Sequence, residues 1–448
     1  MEQKVQTLID AASASTCSND LLMVAIAAKN ISTNVSSFID TIANIPDLYT
    51  TPMVDGTIIF VAQLNTYLIS NGYTWYSLDG RTYRYDGPSN LVYAWGDNDT
   101  GNLGDNSTTL RSSPVSVVGG FTDWCQASAG NFHSIAVRTN GTLWAWGSNS
   151  YGKLGDSTTV SKSSPVSVVG GFTDWCQASA GNFHSIAVRT NGTLWAWGNG
   201  SWGRMGDSST DNKLSPVSVV GGFTDWCQVS AGNYHSAAVR TNGTLWAWGF
   251  NGFGGLGDNT TVNKSSPVSV VGGFTDWCQA SAGNYHSAAV RTNGTLWAWG
   301  NNGRGQLGDN TIVHKSSPVS VVGGFTDWCQ ASVGRYHSVA VRTNGTIWAW
   351  GNNACGELGD NTIVNKSSPI SVVGGFTDWC QVSAGRCHSA AIRTNGTIWA
   401  WGRNYGVLGD NTMVHRSSPV SVVGGFADWR HVSTNAVGTH TLAIRTIP

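Results

Sequence analysis

The chain has 448 residues and a formal net charge of −1; only 11% of it is charged, while 56 residues are glycine and 22 are tryptophan. So little charge excludes the basic field that nucleic acid or anionic lipid requires, and no apolar run reaches the ~18 residues of a membrane-spanning helix. Met1-Glu2-Gln3-Lys4 carries both charges, and no small-residue cleavage site follows the apolar run Leu21 to Ala28, so a secretory signal is not expected.

In chain order, residues 1–50 read as a helical attachment segment. Val5 to Ile45 divides into helical pieces with apolar stretches at Leu21 to Ile31 and Val35 to Ile42, stopped by Pro46. Residues 51–90 read as a small β module. From residue 91 to 448 the chain is repetitive: Trp-Gly recurs at Trp95, Trp146, Trp197, Trp248, Trp299, Trp350 and Trp401, always 51 residues apart. A period near 50 with strand-like content predicts an all-β, seven-bladed propeller of four-stranded blades, since one such unit cannot bury its own faces. The string Leu91 to Gly96 is the last part of a repeat and Thr439 to Thr446 is the part that normally precedes it, so the two ends are expected to complete one blade.

Within the copy from Gly147 to Trp197, Asn191-Gly192 separates two alternating runs and predicts a two-residue type I′ hairpin. Trp195 and Trp197 share one strand face and should pack between blades together with Trp175. Six cysteines (Cys125, Cys176, Cys227, Cys278, Cys329 and Cys380) hold one repeat position and read as small buried apolar groups. The histidines His133, His184, His235, His286, His337, His388 and His440 read as structural hydrogen-bonding groups rather than metal ligands, because a ring of one residue type does not supply a tetrahedral set. Asp105, Asp156, Asp207, Asp258, Asp309, Asp360 and Asp410 each follow a Leu-Gly or Met-Gly pair and should cap a turn. No activated nucleophile triad, phosphate loop or Cys-x-x-Cys pair stands out, so neither enzyme activity nor a cofactor or metal is expected.

The units Trp-Gly-x-Asn-x-x-Gly-x-Leu-Gly-Asp, Ser-Pro-Val and Ser-Ala-Gly-x-x-His-Ser-x-Ala-Val-Arg-Thr-Asn-Gly-Thr-Leu-Trp-Ala-Trp-Gly closely resemble the regulator of chromosome condensation repeat family. The resemblance covers residues 91–448 and implies a seven-bladed propeller. It leaves activity open, because members include an exchange factor, a photoreceptor and enzyme inhibitors. The segment from Asp55 to Arg81 resembles a short β module near the start of tailed-bacteriophage fibre and virion proteins.

Copies that share a scaffold should diverge where contact with a partner is adjusted. Divergence concentrates after Trp-Gly, at Tyr151, Trp202, Phe250, Phe253, Arg304, Arg403 and Tyr405, and two residues before the histidine, where Asn131 gives way to Arg335 and Arg386. Aromatic and Arg side chains on loops of a rigid body are the residue types of binding hot spots. The expectation is a non-enzymatic phage virion or tail-associated protein, located in the virion and assembled in the host cytoplasm. Residues 1–90 would anchor it to other virion proteins, and the loops would bind a host cell-surface glycan or protein, in a homo-oligomer such as a trimer. The alternative is a cytosolic protein-interaction scaffold with a small GTPase partner.

Overall fold

The structure, a computed structural model, describes residues 39–42, 58–61, 66–70, 75–77, 82–83 and 89–447. Contacts divide the chain into a first unit ending at Ser89 and a second spanning Asn90–Ile447. In the first unit five short strands form one sheet in chain order, beginning with Ile39–Ile42 parallel to Ile58–Val61. Residues 39–42, expected to be helical, are therefore extended, in keeping with the β-branched Ile39, Thr41 and Ile42. The remaining helical expectation and the side chains of the phage-like segment lie outside the described residues.

In the second unit each repeat folds as its residue pattern dictates. Small and aromatic residues alternate in Leu194–Gly198, which lies between His184–Arg189 and Lys213–Ser218, with Trp175–Ala180 beyond the histidine strand. Seven such four-stranded antiparallel sheets are present among the described residues. The closing blade takes Trp429–Ser433 and His440–Ile447 from the end of the chain and Ser89–Gly96 and Arg111–Ser116 from its beginning, as expected. We number the blades one to six from the sheet that starts at Trp124; the closing blade is the seventh.

The turn after the histidine strand departs from expectation. Gly141 is left-handed (φ 73°) but Asn140 is not, and the Gly141 N–H donates to the Arg138 carbonyl at 2.9 Å. This is a type I turn followed by a glycine bulge rather than a type I′ turn. The Asn140 carboxamide oxygen serves the turn by accepting from the Thr142 N–H and hydroxyl at 3.1 and 2.7 Å. A β-carbon on Gly141 would lie 2.1 Å from the Thr173 carbonyl, so only glycine fits.

The cysteine expectation is also corrected. Cys125, Cys278, Cys329 and Cys380 are exposed, and Cys176 and Cys227 are intermediate. The pairing register slips between Trp124 and Gln126, so Cys125 is the extra residue of a bulge and turns outward.

Apolar packing lies between blades. Ile135, Val137, Leu143 and Ala145 of blade one, with Leu154 and Val168, pack against Trp175, Ala178, Ala180, Ala187 and Trp197 of blade two. Trp197 is fully buried, whereas Trp195 is partly exposed and its indole N–H donates to the Thr193 hydroxyl at 3.1 Å.

Polar bonds tie the same surfaces together in three sets. On the strands nearest the axis, the Gln126 side chain spans the gap to blade two, accepting from the Ala178 N–H at 3.1 Å and donating to its carbonyl at 2.9 Å. The motif runs round the ring, and in the closing blade His431 replaces glutamine and reaches the Ala127 carbonyl at 2.8 Å. Two residues further on, Ser128 accepts from the Ala180 N–H at 3.0 Å, and Ser433 completes the circuit to Ala129 at 3.1 Å.

The third set is the histidine ring. His133, His184, His235, His286, His337 and His440 each place Nε2 2.8–3.1 Å from a serine hydroxyl of the next blade, and His388 lies 3.4 Å from Thr441. Each of those hydroxyls donates its single proton to a loop carbonyl, as Ser185 does to Lys153 at 2.9 Å. The hydroxyl can therefore only accept from the ring, which makes the histidines Nε2–H tautomers. Burial holds every one of them neutral: His235, His337 and His440 are pushed down to about 4, and His286 and His388 to about 3.

Unfolded histidines take up protons below about pH 6.5, whereas the folded ring stays neutral until pH falls to about 4 or lower. Stability present above pH 6.5 should thus be lost on acidification, by about 1.4 kcal/mol per pH unit for each histidine. Denaturant titrations between pH 7 and pH 5 should show a steep fall in midpoint, made shallower by His235→Gln. Ser236→Ala, which strands the buried His184 N–H and leaves the Arg204 carbonyl with one of its two donors, should lower stability by about 1–3 kcal/mol. Ser236→Thr should retain the wild-type midpoint, since Thr441 fills the equivalent place in the closing blade.

Candidate functional site

Each histidine strand starts, and each Trp-Gly strand ends, at one end of the propeller. The turn before the histidine and the loop after Trp-Gly therefore share that end, and the Asn-Gly hairpins occupy the other. The loop conformation is set from within. In the loop of blade one that follows Trp146-Gly147 the Asn149 carboxamide donates to Asp156 at 2.8 Å and accepts from the Leu154 N–H at 2.9 Å. Asp156 also accepts from the Thr158 N–H at 3.0 Å, the turn-capping role expected of these carboxylates. Side chains at the loop apex are left over for other uses.

The divergent residues fall at this end in two groups. Tyr151, Trp202, Tyr405 and Arg304 are exposed, and Phe250, Phe253, Arg335, Arg386 and Arg403 are half-buried. Tyr151, Trp202, Phe250 and Phe253 come together, but only through rings that sequence reasoning passed over: Phe183, Tyr234 and Tyr285, each directly before a histidine. Tyr151 meets Phe183 at 6.5 Å, Phe183 meets Tyr234 at 6.1 Å, and Tyr234 stacks on Tyr285 at 5.0 Å. Trp202 bridges Tyr234 and Phe250 at 5.2 and 5.5 Å, and Phe253 closes on Tyr285 at 5.1 Å. Seven rings thus form one arc across blades one to four. The available signal was that the residue before histidine is Phe or Tyr in five copies and not a small polar residue.

Two of these rings sit on unusual backbone. Tyr151 and Trp202 are left-handed (φ 69° and 61°), a conformation that is unfavourable for bulky side chains and that persists where surrounding structure imposes it.

Beneath the arc lies a second overlooked feature. The residue before each Leu-Gly or Met-Gly pair differs in every copy, and Lys153 and Arg204 are its buried cations, 2% and 1% exposed. Neither forms an ion pair among the described residues. Lys153 lies 5.6 Å from the Phe132 ring, and burial pushes its ammonium down to about 8. Arg204 lies 5.0 Å from both Phe183 and Trp202, with Nη1 unpartnered, and burial pushes it down to about 10. Aromatic faces stabilise these cations in place of carboxylates.

The other group lies on blades five and six. Arg335 sits 5.0 Å from the Tyr336 ring, and Arg403 donates to the Tyr405 hydroxyl at 2.6 Å. At the position equivalent to Lys153, the buried Glu357 accepts from the Cys355 N–H at 2.7 Å and from the Asn352 carboxamide, and burial raises its carboxyl. No cluster of metal-ligating side chains is formed among the described residues.

Residues 87–373 and 221–446 match the RCC1-like domain. The chain is 30% identical to the ultraviolet-B receptor UVR8 of Arabidopsis thaliana over 330 residues, covering 70% of this chain and 73% of that protein. It is likewise 30% identical to the mitochondrial RCC1 domain-containing protein RUG3 of the same plant, over 61% of this chain and 64% of the relative. Among solved structures, human WBSCR16 superposes with a TM-score of 0.72 at 20% identity, covering 80% of this chain and 99% of that one. Prp20p of Saccharomyces cerevisiae, described with its binding to Gsp1p and histones, superposes at 0.71 and 19% identity over 81% and 92%. Those two likenesses concern the fold alone. With the sevenfold ring and the matched residues agreeing, the chain belongs to the RCC1-like domain family.

Proposed function

We propose that the propeller is a protein-interaction scaffold that holds a folded partner against the aromatic arc of its loop end. The observation that carries this reading is the arc itself: seven contiguous rings, partly solvent-facing, on loops braced by a hydrogen-bonded ring. Rigid aromatics lose little conformational entropy on binding and dominate interface hot spots. The loop end also has the sign to select a partner. Seven turn-capping aspartates are balanced in number by the Lys or Arg that opens each following strand, and beyond them the loops and pre-histidine turns carry Lys153, Arg204, Arg304, Arg335, Arg386 and Arg403 against Asp97, Asp99, Asp211 and Glu357. Such a field speeds encounter with an acidic protein surface.

The virion reading rested on the resemblance within residues 1–90, where the side chains before Ser89 lie outside the described residues, and on the aromatic loops; none of the relatives named above is a virion protein. The scaffold alternative therefore stands as the reading. Since Prp20p is described with Gsp1p and histones, nucleotide-free small GTPases are the first partners to try, and core histones, basic like the loop end, are the contrast.

Immobilised full-length protein should retain a nucleotide-free small GTPase in preference to core histones. Trp202→Ala and Phe253→Ala should each weaken that binding by about tenfold or more while near-ultraviolet circular dichroism stays unchanged. Binding indifferent to both substitutions would remove the arc as the contact face, and saturable glycan binding at the same residues would replace the protein partner with a sugar.

A further inference from the structure

The seam between blade six and the closing blade differs from the other six. Its loop, Arg403 to Asp410, is one residue shorter, and Val407 stands where other copies carry Asn102, Lys153, Arg204, Gly255, Gln306 or Glu357. The ring bond at the seam, His388 to Thr441, is the longest of the seven at 3.4 Å. The shortened loop leaves a cleft of about 100 Å³, lined by Arg386, Cys387, Arg403, Tyr405, Val407 and Thr439 among others. A water needs only about 10–15 Å³ of such space, so the cleft has room for a small polyatomic group.

Both cations of the cleft are unpaired. At the opposite end of the propeller seven arginines meet carboxylates: Arg138, Arg189, Arg240, Arg291, Arg342, Arg393 and Arg445 each bond an aspartate at 2.7–2.8 Å. Arg386 and Arg403 form no such pair among the described residues. The two nearby acids are already engaged. Glu357 accepts from Cys355 and Asn352, and Asp97 accepts from the Thr439 hydroxyl at 2.9 Å. Arg403 is held in position by the Tyr405 hydroxyl and lies 4.2 Å from that ring, and its backbone N–H is fixed on the Cys387 carbonyl at 2.8 Å. On the adjacent blade Arg335 keeps a buried Nε without a partner. Arg403 is thus held in place at the cleft wall, and neither it nor Arg386 has a carboxylate partner among the described residues.

We propose that this seam cleft binds a phosphoryl group, bridged by Arg386 and Arg403. Two guanidinium forks match the charge and multiple oxygens of a phosphate dianion better than those of a monovalent carboxylate. The site is separate from the aromatic arc and does not rest on the protein-partner reading.

Titration calorimetry of the full-length protein at pH 7.5 and fixed ionic strength tests it, with inorganic phosphate, phenyl phosphate and acetate as probes. One saturable phosphate site is expected, weakened about tenfold or more in Arg386→Gln and in Arg403→Gln. Arg304→Gln, an exposed arginine of the same end outside the cleft, should bind phosphate as the wild type does. Tighter binding of phenyl phosphate assigns the site to an esterified phosphoryl group, and tighter binding of inorganic phosphate assigns it to the free ion. No saturable phosphate uptake, equal loss in Arg304→Gln, or acetate bound as tightly as phosphate would overturn the proposal.

Discussion

A hydroxyl has one proton, and the architecture turns on where each blade spends it. Every ring serine, with Thr441 in the closing blade, gives that proton to a loop carbonyl and takes one from a histidine of the preceding blade. The same carbonyl also receives an indole N–H: Trp197 donates to Lys153 at 3.0 Å, as Trp248 does to Arg204 at 2.9 Å. Neutral histidine, serine, tryptophan and carbonyl are thereby locked into one donor order. Replacing any member leaves a buried group unsatisfied, which is costlier than the bond itself is worth.

This order explains where uniformity is demanded and where it is released. The residue that supplies the doubly used carbonyl is Asn102, Lys153, Arg204, Gly255, Gln306, Glu357 or Val407 according to the blade, yet the carbonyl bonds are the same throughout. The ring makes its demand on the backbone, so the side chain is unconstrained by it. The chain uses that freedom to place unpaired cations beneath aromatic rings on one side and an empty notch at the seam on the other. Scaffold and recognition are thus separated at the level of single residues.

The fold was legible because its period, its tryptophans and its split blade are written in local order. The errors share one cause, which is that a motif names residues but not the register in which they pair. Asn140-Gly141 has the composition of a type I′ turn, but the partner strand places Thr139 and Asn140 at its centre. Cys125 looks apolar, but a bulge turns it outward. The candidate face was half legible. Divergence located Tyr151, Trp202 and Phe253, while Phe183, Tyr234 and Tyr285 escaped because they sit beside an invariant histidine and look like scaffold. Lys153 and Arg204 escaped for the opposite reason: a charge in a glycine-rich loop reads as solvated, and only the overlying rings reveal its burial.

The seventh sheet draws its strands from residues nearly 350 positions apart, Ser89–Gly96 and His440–Ile447. A ribosome-bound chain that has not yet released the latter holds six stacked sheets with two raw flanks and no means of sealing them. Completion therefore waits for the strands after Trp429 and is governed by long-range loop closure, slow by comparison with the hairpins that precede it. A message truncated before His440 would yield an open crescent whose unpaired strands invite assembly with its own kind.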